Sequence, residues 1–201
     1  MNDRIRQLLK QITSLETELN AAIEEQESLI RYRLEGKRVV FEQALRKAHL
    51  KLRMNEFSWF LAIPPLNLLT APIIYGMIVP LLLFDLCVSF YQLICFPIYG
   101  IARVRRSDYI VFDHRHLAYL NLIEKVDCMY CSYAVGMLAY ATEVTSRTEQ
   151  YFCPIKHARK MPGVHARYAH YLEYGDADDL QEKLQRLRGE LAEDDVVNVS
   201  K

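Results

Sequence analysis

"FSWFLAIPPLNLLTAPIIYGMIVPLLLFDLCVSFYQLICFPIYGIA", residues 57–102, carries a single charged side chain, Asp85. The stretch is longer and more apolar than a soluble core helix, which predicts a membrane-embedded segment. Prolines 64, 65, 72, 80 and 97 interrupt it, so it reads either as one tilted span with an interfacial lead-in or as two short helices folded into a hairpin. Charge on the flanks favours the hairpin. Lys37, Arg38, Arg46, Lys47, Lys51 and Arg53 precede the segment, and Arg103, Arg105, Arg106 and Arg115 follow it. Basic residues collect on the cytoplasmic side of a bilayer, so both ends are predicted to be cytoplasmic, with a bend near Gly76 and Pro80. The opening "MNDRIRQLLKQ" has no apolar core beside a small-residue cleavage site. A secretory signal peptide is therefore not expected, and insertion falls to the internal segment.

Within that segment Asp85, Ser89 and Gln92 recur at helical spacing and form one polar stripe. An intramembrane carboxylate is costly to keep, so Asp85 reads as a proton or cation ligand, or as a group paired across a hairpin, at an oligomer interface or near the head groups. The paired reading is favoured. Cys87 and Cys95, on another face with Tyr91 between them, read as small hydrophobes.

The flanks divide the rest. Of 201 residues, 25 are basic and 25 acidic, a balance that excludes a nucleic-acid partner. Ile5, Leu8, Ile12, Leu15, Leu19, Ala22 and Leu29 follow alternating steps of three and four, with Gln26 at one interior position. That heptad seam predicts a coiled-coil helix that pairs with a copy of itself through residues 1–30. The pattern slips near Gly36 and resumes through Val40, Phe41, Leu45, Ala48 and Leu52, predicting a second amphipathic helix whose basic face suits anionic lipid. The fold class expected is mainly α, in four parts: an amphipathic and coiled-coil region at 1–56, the membrane segment at 57–102, a Cys/His domain at 103–175, and a C-terminal helix with an acidic tail at 176–201. Leu180, Leu184, Leu187 and Leu191 give that last helix a stripe that could pair with the N-terminal coil or hang free.

In the third part, "SDYIVFDHRHLAYLNLIEKV" predicts a short extended piece and a helix capped by Asp113, with Leu117, Leu120 and Ile123 inward. Residues 132–150 predict another helix, apolar at Tyr133, Met137, Tyr140, Ala141 and Val144 and polar at "TSRTEQ". Cys128 and Cys131 have the Cys-x2-Cys spacing of a zinc half-site. Cys153 and His157 are spaced four apart, and Pro154 favours a helix starting there, which would put both on one face. Cys128, Cys131, Cys153 and His157 are thus the candidate metal ligands, a closed tetrahedral set for structural zinc. Iron on the same residues, a redox pair at Cys128 and Cys131, and inert core thiols are the alternatives. A periplasmic domain would instead favour a disulfide. His114, His116, His165 and His170 are second-choice ligands, and Lys156, Arg159, Lys160 and Arg167 form a basic stretch suited to anionic head groups.

The run "YCSYAVGMLAYATEVTSRTEQYFCPIKHARK" resembles a segment of an uncharacterised family of small bacterial inner-membrane proteins, whose tyrosines, "RTEQY" and "CPIKHA" accompany the cysteines. The resemblance covers residues 128–160 closely and "PIIYGMIVPLLLFDL" more loosely, and it implies a bacterial inner-membrane location. No glycine-rich phosphate loop, nucleophile elbow or His-Glu-x-x-His motif appears, so no catalytic residue is assigned. The expectation is a membrane-anchored, self-associating scaffold or adaptor with a zinc-stapled domain that meets a protein partner. A membrane-associated redox or iron protein using the Cys pair is the alternative, and an ion pathway through Asp85 is the third.

Overall fold

A computed structural model describes residues 3–29, 32–35, 38–41 and 43–197. Gly36 and Lys37 lie outside the described residues, as do the side chains of Ile5, Gln26 and Leu29 in the N-terminal seam and the tail beyond Val197. The chain is mainly helical and divides into two compact units, residues 1–62 with 113–126, and residues 63–112 with 127–201.

The first unit opens with α1 (Asp3–Leu29), in which Leu8, Ile12, Leu15 and Leu19 are all exposed. An antiparallel hairpin follows, β1 (Tyr32–Glu35) against β2 (Arg38–Phe41), with Tyr32 opposite Phe41 and Glu35 opposite Arg38. Val40 and Phe41 were expected to start an amphipathic helix. They lie in β2 instead, because β-branched and aromatic residues in succession suit a strand, and α2 runs only from Gln43 to Leu52. His49 packs edge-on to the rings of Phe41 and Tyr119, at 5.7 and 5.2 Å. Asn55 caps α3 (Glu56–Ala62), its Oδ1 accepting the Ser58 amide at 2.7 Å. Asp113 makes no such cap, and the turn after it is a single 3-10 turn, His114–His116. The helix start lies at Asn121, fully buried, whose Oδ1 accepts the Glu124 amide at 2.9 Å while Glu124 Oε2 accepts the Asn121 amide at 2.8 Å. This reciprocal box satisfies two amides that a helix start otherwise leaves unpaired.

The second unit is built on α4 (Pro65–Gly76) and α5 (Ile78–Tyr99). Pro65 occupies the first position of α4, where its missing amide costs nothing. Pro80 has no amide to give the Gly76 carbonyl four residues back, and the ladder tightens there: Met77 N donates to Ile74 O at 3.2 Å. Met77 itself is helical, with φ −63° and ψ −14°. The chain therefore does not reverse at Gly76–Pro80, and Pro65–Tyr99 is one 35-residue helical run rather than the expected hairpin. Left-handed Gly100 (φ 66°) ends α5, with Ile101 N returning to Phe96 O at 2.9 Å. Next come an extended stretch that alternates buried Ala102 and Val104 with exposed Arg103 and Arg105, the single turn α6 (Arg106–Tyr109), and α7 (Leu122–Phe152). The helix expected over 132–150 is present as the larger part of α7, whereas the one expected to start after Asp113 is only a 3-10 turn.

Tyr133, Met137, Tyr140, Ala141 and Val144 are buried together, as their spacing predicts, and pack with Phe96 of α5 and Leu191 of α8 (Leu180–Val197). The leucine stripe of α8 neither hangs free nor awaits the N-terminal coil. Leu187 and Leu191 are buried in this unit, and Ala102 N, Gln150 Nε2 and Arg188 Nε make bonds of 2.8 to 3.3 Å that tie α8 to its neighbours. Between α7 and α8 the chain is largely irregular. Ile155 and Leu172 form a parallel bridge, and a 3-10 turn covers Ala166–His170.

Gly136 sets the closest approach in this unit. A Cβ there would lie 2.4 Å from the carbonyl oxygen of Tyr109 and 3.0 Å from Ile110 Cα, both backbone atoms. Gly136→Ala is expected to destabilise the detergent-purified chain by about 1–3 kcal/mol, read as a lowered Tm, because only a backbone shift can relieve the clash.

Candidate functional site

The polar stripe of α5 faces inward. Asp85 and Gln92 are buried beside Val88 and Phe96, whereas every exposed residue of α5 is apolar. Three groups hold the Asp85 carboxylate. Arg106 donates from Nη2 to Oδ2 at 2.5 Å and from Nε to both oxygens, Tyr133 OH donates to Oδ2 at 2.8 Å, and Ser89 Oγ donates to Oδ1 at 3.2 Å. Asp85 is nearly covered, with its side chain 10% exposed, while that of Arg106 is 48% exposed. Seven residues on, Gln92 is as fully used: Oε1 accepts the Val104 amide at 2.8 Å, and Nε2 donates to Val104 O at 3.1 Å and to Tyr140 OH at 2.9 Å. Asp85 is therefore paired, as the favoured reading held. Its partner is an arginine of the same chain 21 residues later, rather than a residue across a hairpin.

A second polar cluster lies farther along α7. Glu143 Oε1 accepts from Arg147 Nε and from Arg167 Nη2, each at 2.8 Å, Arg147 Nη1 reaches Ala102 O at 2.7 Å, and Arg167 Nη1 reaches Gln150 Oε1 at 3.1 Å. Tyr171 OH donates to Ser146 O at 2.8 Å, and His165 Nε2 meets Glu149 Oε2 at 2.8 Å. Burial alone would raise the Glu143 carboxyl, but the hydrogen bonds and charges of Arg147 and Arg167 outweigh it and hold the group below the usual glutamate range. Burial, with Glu149 nearby, pushes the Tyr171 phenol well above its ordinary value. Sequence reasoning passed over Glu143, Arg147 and Gln150 as a polar helix end. The available signal was that Arg147 continues the spacing of Tyr133, Met137, Tyr140 and Val144, so it points into the core.

The proposed ligand set is not brought together. Cys128 and Cys131 sit on α7, and Cys153 follows its last residue. The unbroken helix sets Cys131 and Cys153 about 33 Å apart along the axis, far beyond shared coordination. The helix expected at Pro154 does not form either. Cys153 to His157 are extended or irregular, with Leu172 N donating to Pro154 O and Lys156 N to Leu172 O, and His157 N donates to Tyr168 OH at 2.6 Å. Among the described residues, which include all five cysteines, no three His, Cys, Asp or Glu side chains are placed to hold a metal ion, and no disulfide forms. Of the second-choice histidines, His165 pairs with Glu149.

No protein-family model, no curated protein and no solved structure matches the chain.

Two outcomes follow from this geometry. Cys153→Ser is expected to leave the stability of the purified chain within about 0.5 kcal/mol of the parent, measured by denaturant midpoint in detergent. Glu143, with its folded value depressed, contributes stability that is fully present above the unfolded glutamate value of about 4.3 and is lost as pH falls through the lower folded value. Melting curves between pH 7 and pH 3 should therefore fall more steeply below about pH 4.5 for the parent than for Glu143→Gln.

Proposed function

We propose that the chain is a membrane-anchored, self-associating scaffold or adaptor of the bacterial inner membrane. One observation carries the reading: Pro65–Tyr99 is long and apolar enough to cross a membrane, and along α5 it covers its polar residues, Asp85, Ser89 and Gln92, while exposing its apolar ones. A soluble protein arranges such a helix the other way. Leu83 and Phe90 are each 61% exposed on the face opposite Asp85, and lipid is the medium that accepts such a face. In this reading the third part of the chain is fastened by the Asp85 and Glu143 clusters, which take the place of the expected zinc staple, and its surface is left for a protein partner. Self-association rests on α1, whose exposed leucine and isoleucine seam is self-complementary at heptad spacing.

Leu83, Phe90 and Ile94 make no polar contact, so the triple variant Leu83→Glu, Phe90→Glu, Ile94→Glu tests the anchor without touching the Asp85 cluster. The parent is expected to float with vesicles in a density gradient and the variant to remain at the bottom with its fold retained by circular dichroism. A parent that does not float defeats the anchor. Chemical crosslinking of the full chain should give a dimer or higher band, lost in Leu8→Asp with Leu15→Asp; monomer alone in the parent would defeat self-association.

A further inference from the structure

We propose that the Pro65–Tyr99 run does not cross the bilayer but lies along it, with its apolar side in the acyl chains of one leaflet and the arginines beside it at the phosphates of anionic head groups. The inference rests on the membrane-anchored reading and adds the orientation and the lipid chemistry.

Length supplies the first argument. Thirty-five helical residues extend about 52 Å, against a hydrocarbon core of about 30 Å. Fitting the whole run across that core would take a tilt of about 55°, outside the usual range of about 0–40°.

The second argument is where charge lies along the helix. Ala71, Ile78, Asp85, Gln92 and Tyr99, one every seventh residue, are all at least partly covered, so a single straight stripe is packed from α4 to the end of α5. The chain covering that stripe is charged at successive heights. Asp127 accepts from Tyr75 OH, Arg106 pairs with Asp85, and Arg103 Nη2 donates to Leu93 O at 3.3 Å. Arg103, Arg105, Arg106 and Asp108 are exposed. Tyr75 to Leu93 is about 27 Å of helix, so any bilayer-thick slab taken across the run puts at least one of these charged groups well inside the hydrocarbon. That is the most unfavourable place for it. Laid lengthwise, the same molecule segregates cleanly. All of the charges lie on the covered side, and the other side, with Leu69, Leu83, Phe90 and Ile94, is uninterrupted hydrocarbon.

Basic residues on both flanks, which suggested a hairpin, then need no reversal of the chain: a helix lying in one leaflet keeps both ends on the same side. Arg103 and Arg105, alternating outward from the buried Ala102 and Val104, stand in line beside α5, where anionic phosphates would meet them.

The test is the depth of the outer face in the full chain reconstituted in phosphatidylglycerol and phosphatidylcholine vesicles. Single cysteines replacing Leu69, Leu83, Ile94 and Ile98, in a background with the native cysteines changed to serine, carry nitroxide labels. Their relative accessibility to oxygen and to a water-soluble nickel chelate gives depth. All four are expected within about 5 Å of one another, a shallow depth in one leaflet. A graded series in which Leu69 and Ile98 report opposite interfaces and Leu83 the centre overturns the inference and leaves the anchor standing. Free access of the chelate at all four overturns the anchor as well. Arg103→Gln with Arg105→Gln should weaken binding to the anionic vesicles by about tenfold or more, with little change on pure phosphatidylcholine. An equal loss on both lipids would overturn the head-group assignment.

Discussion

A carboxylate in the middle of an apolar helix must be neutralised or matched, and Asp85 is matched. Its oxygens take the Arg106 guanidinium, the Tyr133 hydroxyl and the Ser89 hydroxyl. Satisfying it requires the chain to fold back along α5 immediately after Gly100, which brings Val104 to Gln92 and lays the covering strand against the polar stripe. It also requires α7 to pass at the same height, since Tyr133 must reach the same oxygen. An uncompensated buried charge costs several kcal/mol, so this one residue constrains the path of two other segments.

The same economy runs through the rest of the second unit. Backbone groups that the irregular stretches would leave unpaired are taken up by long polar side chains: Arg147 reaches Ala102 O, Gln150 reaches Leu187 O, and Arg188 reaches Tyr151 O. Each joins pieces far apart in the chain, so the arginines and glutamine of α7 and α8 act as fasteners between segments that share little regular structure. Glu143 balances the charge that Arg147 and Arg167 bring beneath the surface. In the proposed scaffold, these contacts give a fixed outer surface to a small domain whose main helix spends most of its circumference on lipid.

The cysteines show how a spacing can be read correctly and still mislead. Cys-x2-Cys does place two thiols a turn apart, and Cys153 with His157 is a plausible second pair by spacing alone. Whether the pairs meet depends on the chain between them. A loop would let them close; a continuous helix keeps them roughly 33 Å apart. The residues between carry an apolar stripe at helical spacing that runs through Met137, Tyr140 and Val144, and the box at Asn121 and Glu124 starts the helix before Cys128.

Local pattern determined much. The apolar run, the inward face of α7, the leucine stripe of α8 and the presence of a polar stripe on α5 were all legible, because each depends on periodicity within one segment. The cap was not among them: Asp113 and Asn121 share the same preference for a helix start, the sequence pointed to Asp113, and the structure caps the helix at Asn121. What only the tertiary structure decided was partnership: that Asp85 pairs with Arg106, that Arg147 and Arg167 share Glu143, that α8 docks on Phe96 and Val144, and that the Cys pairs stay apart. Periodicity reports which side of a helix seeks cover, but which distant segment provides it depends on chain path and on the matching of charge, and neither is written in any one stretch of residues.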